Sequence, residues 1–281
     1  MDNNLNKELH SYDLKPKKSL GQNFLKDETI LNKIADLCED PDQCIFEIGA
    51  GTGVLTEKLS DKYKKVLSFE IDKTLMPLLE NKFNAKENVK IVFEDFMKID
   101  LDAFILENHL ENEKISVCTN LPYYISSDAT YKLLEYSKYF SRIIMLVQKE
   151  FADKICLNTG DRDCIPLTFV REYKTSCKKC FNVPPHLFVP QPKVMSTVIK
   201  LTVDQKYNLD EKDEKLLFEI IEKAFLQRRK QLINSIDSMF GKEKIRAVLN
   251  DLKINENVRA EELKLADFIK IENGLTRLTN V

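Results

Sequence analysis

The sequence predicts an α/β chain, a parallel-sheet domain followed by a small all-helical one. Three observations carry that expectation. Short apolar runs alternate with helical patterns from about residue 40 to 148, as in βαβ units. After Val203 the apolar residues fall at helical spacing with no strand-like run. The scarce glycines gather where the first apolar run ends, in EIGAGTG (47–53).

The strands are expected at CIFEIGA (44–50), KVLSFEI (65–71), VKIVFED (89–95), KISVCTN (114–120) and RIIMLVQ (142–148). Several are apolar at consecutive positions, as strands covered on both faces are. Helices are expected over 52–59, 73–83 and 127–136. PLTFVREY (166–173) and VMSTVIKLTV (194–203) read as a further β-rich stretch, with Pro184, Pro185, Pro190 and Pro192 in the loop between them. Leu216, Leu217, Ile220, Ile221, Ala224 and Phe225 then mark a helix, followed by KEKIRAVLNDL (242–252) and RAEELKLADFIKI (259–271). The expected division is a flexible N-terminal arm over 1–16, a first domain over 17–203 and a helical domain over 204–281.

At 281 residues, 43% hydrophobic and 31% charged, the chain has the composition of a globular protein, which excludes disorder for its bulk. No apolar run reaches the ~18–20 residues of a membrane span. The first sixteen residues are polar and contain acids, unlike a signal or transit peptide, so a cytoplasmic location is expected. Forty-three basic against forty-five acidic side chains leave a net charge of −2. This excludes a globally basic nucleic-acid binder, though not a local basic patch. Seven cysteines, an odd number, fit reduced thiols. Those at 156, 164, 177 and 180 do not complete a zinc-ribbon spacing, so no metal is expected. Without coiled-coil heptads or a large apolar surface, a monomer is expected.

Gly49, Gly51 and Gly53 alternate between a strand and a helix, where bare backbone can approach a ligand. The pattern is GxGxG rather than the GxGxxG of dinucleotide folds. Glu70 ends the next strand, where a carboxylate can accept from both hydroxyls of a ribose. Asp95 ends the third, where it can accept from an adenine amine, with Phe96 beside the ring. Glycines, ribose acid and adenine acid at three successive strand ends describe a nucleoside pocket, and point to S-adenosyl-L-methionine as cofactor.

NLPYYIS (120–126) follows the fourth strand and reads as a shaped loop. An exocyclic adenine amine is a weak nucleophile, because its lone pair is delocalised into the ring. Acceptors for both amine protons bias the nitrogen toward tetrahedral geometry. The Asn120 side chain and the Leu121 carbonyl are the candidates, Pro122 fixes the backbone, and Tyr123 offers a face for an extruded base. Upstream, Gln22 and Asn23 in KKSLGQNFL could reach the cofactor's methionine end, with Asp27 as the cap of the helix that follows.

KKSLGQNFLKD (17–27), EIGAGTG, NLPYYIS, FVPQPKVMS (188–196) and FLQRRKQLINSI (225–236) occur in that order. In this the chain resembles the KsgA family of small-subunit rRNA adenine N6-dimethyltransferases, from residue 17 to about 236, with RAEELKLADF similar to its C-terminal block. The resemblance implies a Rossmann-like class I methyltransferase domain with a helical C-terminal RNA-binding domain. It also implies methylation of two adjacent adenines in a hairpin near the 3′ end of small-subunit rRNA, within an assembling subunit. Cofactor binding would fall to Asn23, Leu25, Gly49, Glu70, Asp95 and Asn120, and catalysis to the loop 120–123. Phe188 would close on the other face of the adenine; from the sequence alone it could equally be a packing aromatic. Tyr124 stands where many bacterial members have Asn, and residues 158–180 match the family only loosely.

Basic residues cluster at Lys17 and Lys18, and at Arg228, Arg229 and Lys230 inside a family block. Both clusters are candidates for rRNA phosphates. The alternatives are a related large-subunit rRNA adenine methyltransferase of the macrolide-resistance type, a methyltransferase fold kept as a non-catalytic assembly or transcription factor, and a DNA adenine methyltransferase. The last is disfavoured because its loop carries an acid and Pro-Pro rather than NLPY.

Overall fold

The computed structural model describes residues 7, 9–204, 206–227 and 229–279. Two compact units divide the chain. One comprises Met1–Ala152 and Cys177–Val203, the other Asp153–Ser176 and Asp204–Val281. The first unit ends at Val203, where the expected first domain also ends. The segment 153–176 departs from it by clustering with the C-terminal helices.

In the first unit a seven-stranded sheet runs β4-β3-β2-β5-β6-β9-β7. Its members are β2 (Cys44–Ile48), β3 (Lys65–Phe69), β4 (Val89–Val92), β5 (Ile115–Thr119), β6 (Phe140–Gln148), β7 (Thr175–Val183) and β9 (Ser196–Val203). Strands β2 to β6 are parallel and β9 pairs antiparallel with β6. All residues of β2 and β5 are buried, which accounts for apolar residues at consecutive positions such as Cys44, Ile45 and Phe46. Phe46 of β2 packs edge-on to Phe69 and Phe104, with centroids 5.4 and 5.9 Å away. The connecting helices are α1 (Glu28–Asp36), α2 (Val54–Ser60), α3 (Met76–Phe83), α4 (Leu101–Glu107) and α5 (Ser126–Glu135), and α6 (Lys149–Ile155) carries the chain out of the first unit. Asp27 caps α1 by accepting from the Ile30 amide at 2.9 Å.

A second, two-stranded sheet pairs β1 (Phe24–Leu25) with β8 (Phe188–Val189), antiparallel. The N-terminal arm is not loose throughout. Leu9 is buried against Phe24, and the Asn81 amide donates to the Tyr12 hydroxyl at 2.8 Å. Residues 1–6 and 8 of the expected arm lie outside the described residues.

PLTFVREY is not a strand but the core of α7 (Pro166–Lys174), in the second unit. Pro166 at its first turn is pre-organised for a helix, and the Ile165 amide donates to Thr168 Oγ1 at 3.2 Å. Phe169 lies edge-on between Phe225 and Phe268, each 5.3 Å away. Those partners belong to α8 (Glu211–Phe225) and to the last of four further helices, α9 (Leu232–Ser235), α10 (Asp237–Phe240), α11 (Lys242–Asp251) and α12 (Leu265–Thr279). Asp210 caps α8 through the Asp213 amide at 2.9 Å.

Cys38, Cys44, Cys118 and Cys180 are free thiols and Cys164 is buried, whereas Cys156 and Cys177 are disulfide-bonded, unlike the expected reduced state. Among the described residues no helix is long and apolar enough to cross a membrane, and no group of three or more His, Cys, Asp or Glu could hold a metal ion.

Candidate active site

Parallel register aligns the carboxyl ends of four strands, with Ile48 opposite Phe69 and Thr119, and Phe69 opposite Val92. The chain departs from β2 in opposite directions to β3 and β5, so the crevice between them is a topological switch point. A cavity of about 330 Å³ opens there. Gln22, Asn23, Leu25, Gly49, Gly51, Glu70, Asp95, Asn120, Leu121, Pro122 and Tyr123 all line it.

The glycine turn is fixed by conformation as well as space. Gly51 has φ +57°, and a Cβ there would stand 3.1 Å from the Phe24 ring. Gly53 has φ +79°, and its Cβ would meet the Phe83 ring at 2.7 Å. The Gly51 amide donates to Glu70 Oε2 at 2.7 Å and the Asp72 amide to Glu70 Oε1 at 2.7 Å. Burial pushes the Glu70 carboxyl up, opposed by those two amides. Each oxygen keeps a lone pair for a further donor. Asp95 caps the 3-10 turn Phe96–Lys98 through the Met97 amide at 3.0 Å.

Lys132 of α5 secures this turn. Its ammonium donates to the carbonyls of Met97 and Ile99 at 3.1 and 2.5 Å, and sits 5.3 Å from the centroid of the Phe96 ring. Lys132→Met is expected to destabilise the fold by about 2 kcal/mol, because it strips two part-buried carbonyls of their donor. A urea titration of both proteins checks this, and coincident midpoints would refute it.

Asn120 follows β5 directly, and its carboxamide makes no hydrogen bond among the described residues. Leu121 is buried, and a 3-10 turn spans Tyr123–Ile125. The Tyr123 hydroxyl is hydrogen-bonded to Ser196 Oγ at 2.7 Å, which fixes the ring, while Tyr124 is 65% exposed beside it.

Phe188 is a correction. It pairs with Leu25 across the small sheet, is 3% exposed, and packs in a core cluster that includes Leu25, Leu31 and Val183. It does not line the cavity. Lys17 is also not a free cation, since its ammonium lies 2.6 Å from Asp72 Oδ1. Lys18, Arg229 and Lys230 are exposed, and Arg228 lies outside the described residues.

Among the lining residues that escaped the sequence reading, two are buried and polar. Glu47 and Thr52 are buried, and Glu47 Oε1 and Thr52 Oγ1 have no hydrogen-bond partner among the described residues. Glu47 Oε2 accepts from the hydroxyls of Thr56 and Ser68. The available signal was an acid inside an otherwise apolar strand. Bare glycines, two strand-end carboxylates and orphaned buried oxygens around one cavity fit a nucleoside carrying a charged amino-acid tail.

The ribosomal RNA adenine dimethylase family matches residues 13–277. Over 264 residues the chain is 40% identical to ribosomal RNA small subunit methyltransferase A of Caldanaerobacter subterraneus subsp. tengcongensis, covering 93% of this chain and 98% of that one. The protein of the same name from Geobacillus thermodenitrificans is 38% identical, with 97% and 95% covered. In fold the chain resembles a dimethyladenosine transferase from Plasmodium falciparum (TM-score 0.72, 24% identity, 92% and 98% covered) and the 23S rRNA methyltransferase ErmE (TM-score 0.68, 24% identity, 90% and 99% covered). With nearly its whole length matched, and with the glycine turn, strand-end acids and NLPY loop meeting at one cavity, the chain belongs to the ribosomal RNA adenine dimethylase family.

Proposed function

We propose that this chain dimethylates N6 of two adjacent adenines in a hairpin near the 3′ end of small-subunit rRNA, using S-adenosyl-L-methionine, as a step in small-subunit assembly. The observation that carries the reading is the convergence of the Asn120 loop and the Gly49–Glu70–Asp95 strand ends on one cavity. When bound, the cofactor supplies an electrophilic methyl group on a sulfonium sulfur. Glu70 would hold the ribose and Asp95 the adenine amine, with the backbone of Gly49 and Gly51 passing close by.

On the substrate side, Asn120 Oδ1 and the Leu121 carbonyl accept the two protons of the target amine, which concentrates its lone pair on nitrogen. Pro122 holds the loop in shape. The ring of Tyr123, tethered through Ser196, gives the extruded base a fixed surface, worth about 1–3 kcal/mol in stacking. Positioning supplies most of the acceleration, and the methylated ammonium is acidic enough to lose its proton to water. Lys18, Arg229 and Lys230 are assigned to phosphate contacts, so RNA affinity is expected to fall steeply with salt.

Tritiated methyl transfer to purified small subunits lacking the mark, beside large-subunit rRNA, tests the reading. Label approaching four methyls per small subunit supports it. Label confined to large-subunit RNA moves the activity to the resistance-type reaction, and cofactor binding without label leaves a non-catalytic factor.

A further inference from the structure

Asp72 lies two residues beyond Glu70 and is 4% exposed. Its Oδ1 accepts from the Lys17 ammonium at 2.6 Å and from the amide and hydroxyl of Thr74 at 3.0 and 2.6 Å. Its Oδ2 accepts from Gln22 Nε2 at 2.9 Å. Lys17 and Gln22 are themselves joined, the Lys17 amide donating to Gln22 Oε1 at 2.7 Å. Two side chains from one short N-terminal segment therefore converge on a single buried carboxylate about fifty residues away.

That segment covers the cavity. Leu20, Gly21, Gln22 and Asn23 line one wall, and a Cβ on Gly21 would stand 3.1 Å from Pro122 and 3.4 Å from Tyr124. Its far end is held by the pairing of β1 with β8. Its near end is held through Asp72. The backbone of Asp72 meanwhile donates to Glu70 Oε1, the carboxylate assigned to the ribose. One residue thus joins the cover to the floor of the site.

We propose that Asp72 is a positioning residue that clasps residues 17–25 over the cofactor cavity, and that Lys17 acts through this clasp on cofactor retention rather than on RNA. The inference rests on the cofactor reading given above. To swing open, the cover must strip a buried carboxylate of its ammonium and amide partners together. That is a larger cost than parting an exposed surface pair. Weakening the clasp raises the open population, and the apparent dissociation constant rises in proportion to the loss of the closed form.

The test measures the dissociation constant and off-rate of S-adenosylhomocysteine on the full chain, together with the KM for RNA. The variants are Lys17→Met, Lys17→Arg, Asp72→Asn and the Lys17→Met/Asp72→Asn double. Lys17→Met leaves the Asp72 cap of Thr74 intact, so it remains informative if Asp72→Asn folds poorly. Each of Lys17→Met and Asp72→Asn is expected to weaken binding and speed release by roughly tenfold, with the double no worse than the worse single. Lys17→Arg is expected to restore retention, and the KM for RNA to stay near that of the unaltered protein. A raised KM for RNA with unchanged release in Lys17→Met would make Lys17 a phosphate contact and overturn the proposal, as would additive effects in the double. If the unaltered protein takes up no S-adenosylhomocysteine, the cofactor reading fails instead. Hydrogen exchange over 18–25 then judges the clasp alone: faster exchange in Asp72→Asn supports it and unchanged exchange overturns it.

Discussion

Asn120→Ala is expected to slow methyl transfer at least a hundredfold, the scale seen when one preorganised polar contact to a reacting group is lost. Asn120 stands at the end of a fully buried strand, and its carboxamide is not committed elsewhere among the described residues. On the proposed mechanism it would meet the target amine without first giving up another partner. Removing it leaves one amine proton unheld and the nitrogen lone pair spread into the ring. Single-turnover transfer, with RNA and cofactor both saturating, isolates this effect from binding. A loss of less than about fivefold would assign the work to the Leu121 carbonyl and to positioning alone.

The second large effect is on stability, and its sign is fixed by Glu47. This side chain is 1% exposed, and burial pushes its carboxyl up to about 7 against two hydroxyl donors. Between the ordinary carboxylate range and pH 7 the folded chain holds a proton that the unfolded chain has released. Stability therefore falls as pH rises through that window, by roughly 3 kcal/mol in full. Glu70, also raised by burial, adds in the same direction. Glu47→Gln removes the Glu47 share, since a carboxamide does not titrate. Urea unfolding at pH 5 and pH 8 should show a clearly smaller difference for Glu47→Gln than for the unaltered protein. Equal differences would mean that Glu47 stays ionised in the fold.

The sheet was legible because its central strands are buried on both faces and carry apolar residues at consecutive positions. The strand-end acids were legible because parallel strands deliver consecutive crossovers to one edge. What escaped had physical reasons. PLTFVREY places apolar residues at 167, 169, 170 and 173, which suits a short strand as well as a helix, and only Pro166 favoured the helix. TSCKKCFNV gave no signal, because β7 is half-exposed and polar at the end of the sheet. Phe188 was assigned to the ligand on resemblance, but the facing of a two-residue strand depends on its partner, which here turns the ring into the core. Lys17 read as one of a basic cluster because its acid is remote in sequence. Glu47 stood inside a motif whose glycines drew the functional assignment.

The pairing of Phe24–Leu25 with Phe188–Val189 orders events in time. The segment roofing the cavity is made well before the strand it must grip, which is among the last parts of its unit to be made. A nascent chain that stops short of residue 188 can align β2 to β5 and their glycine turn, but lacks the partner that seats its own roof. The pairing is non-local in sequence and gains nothing until both ends are present. The protein's first motif is therefore finished late, and the site cannot become fully enclosed on a half-made polypeptide.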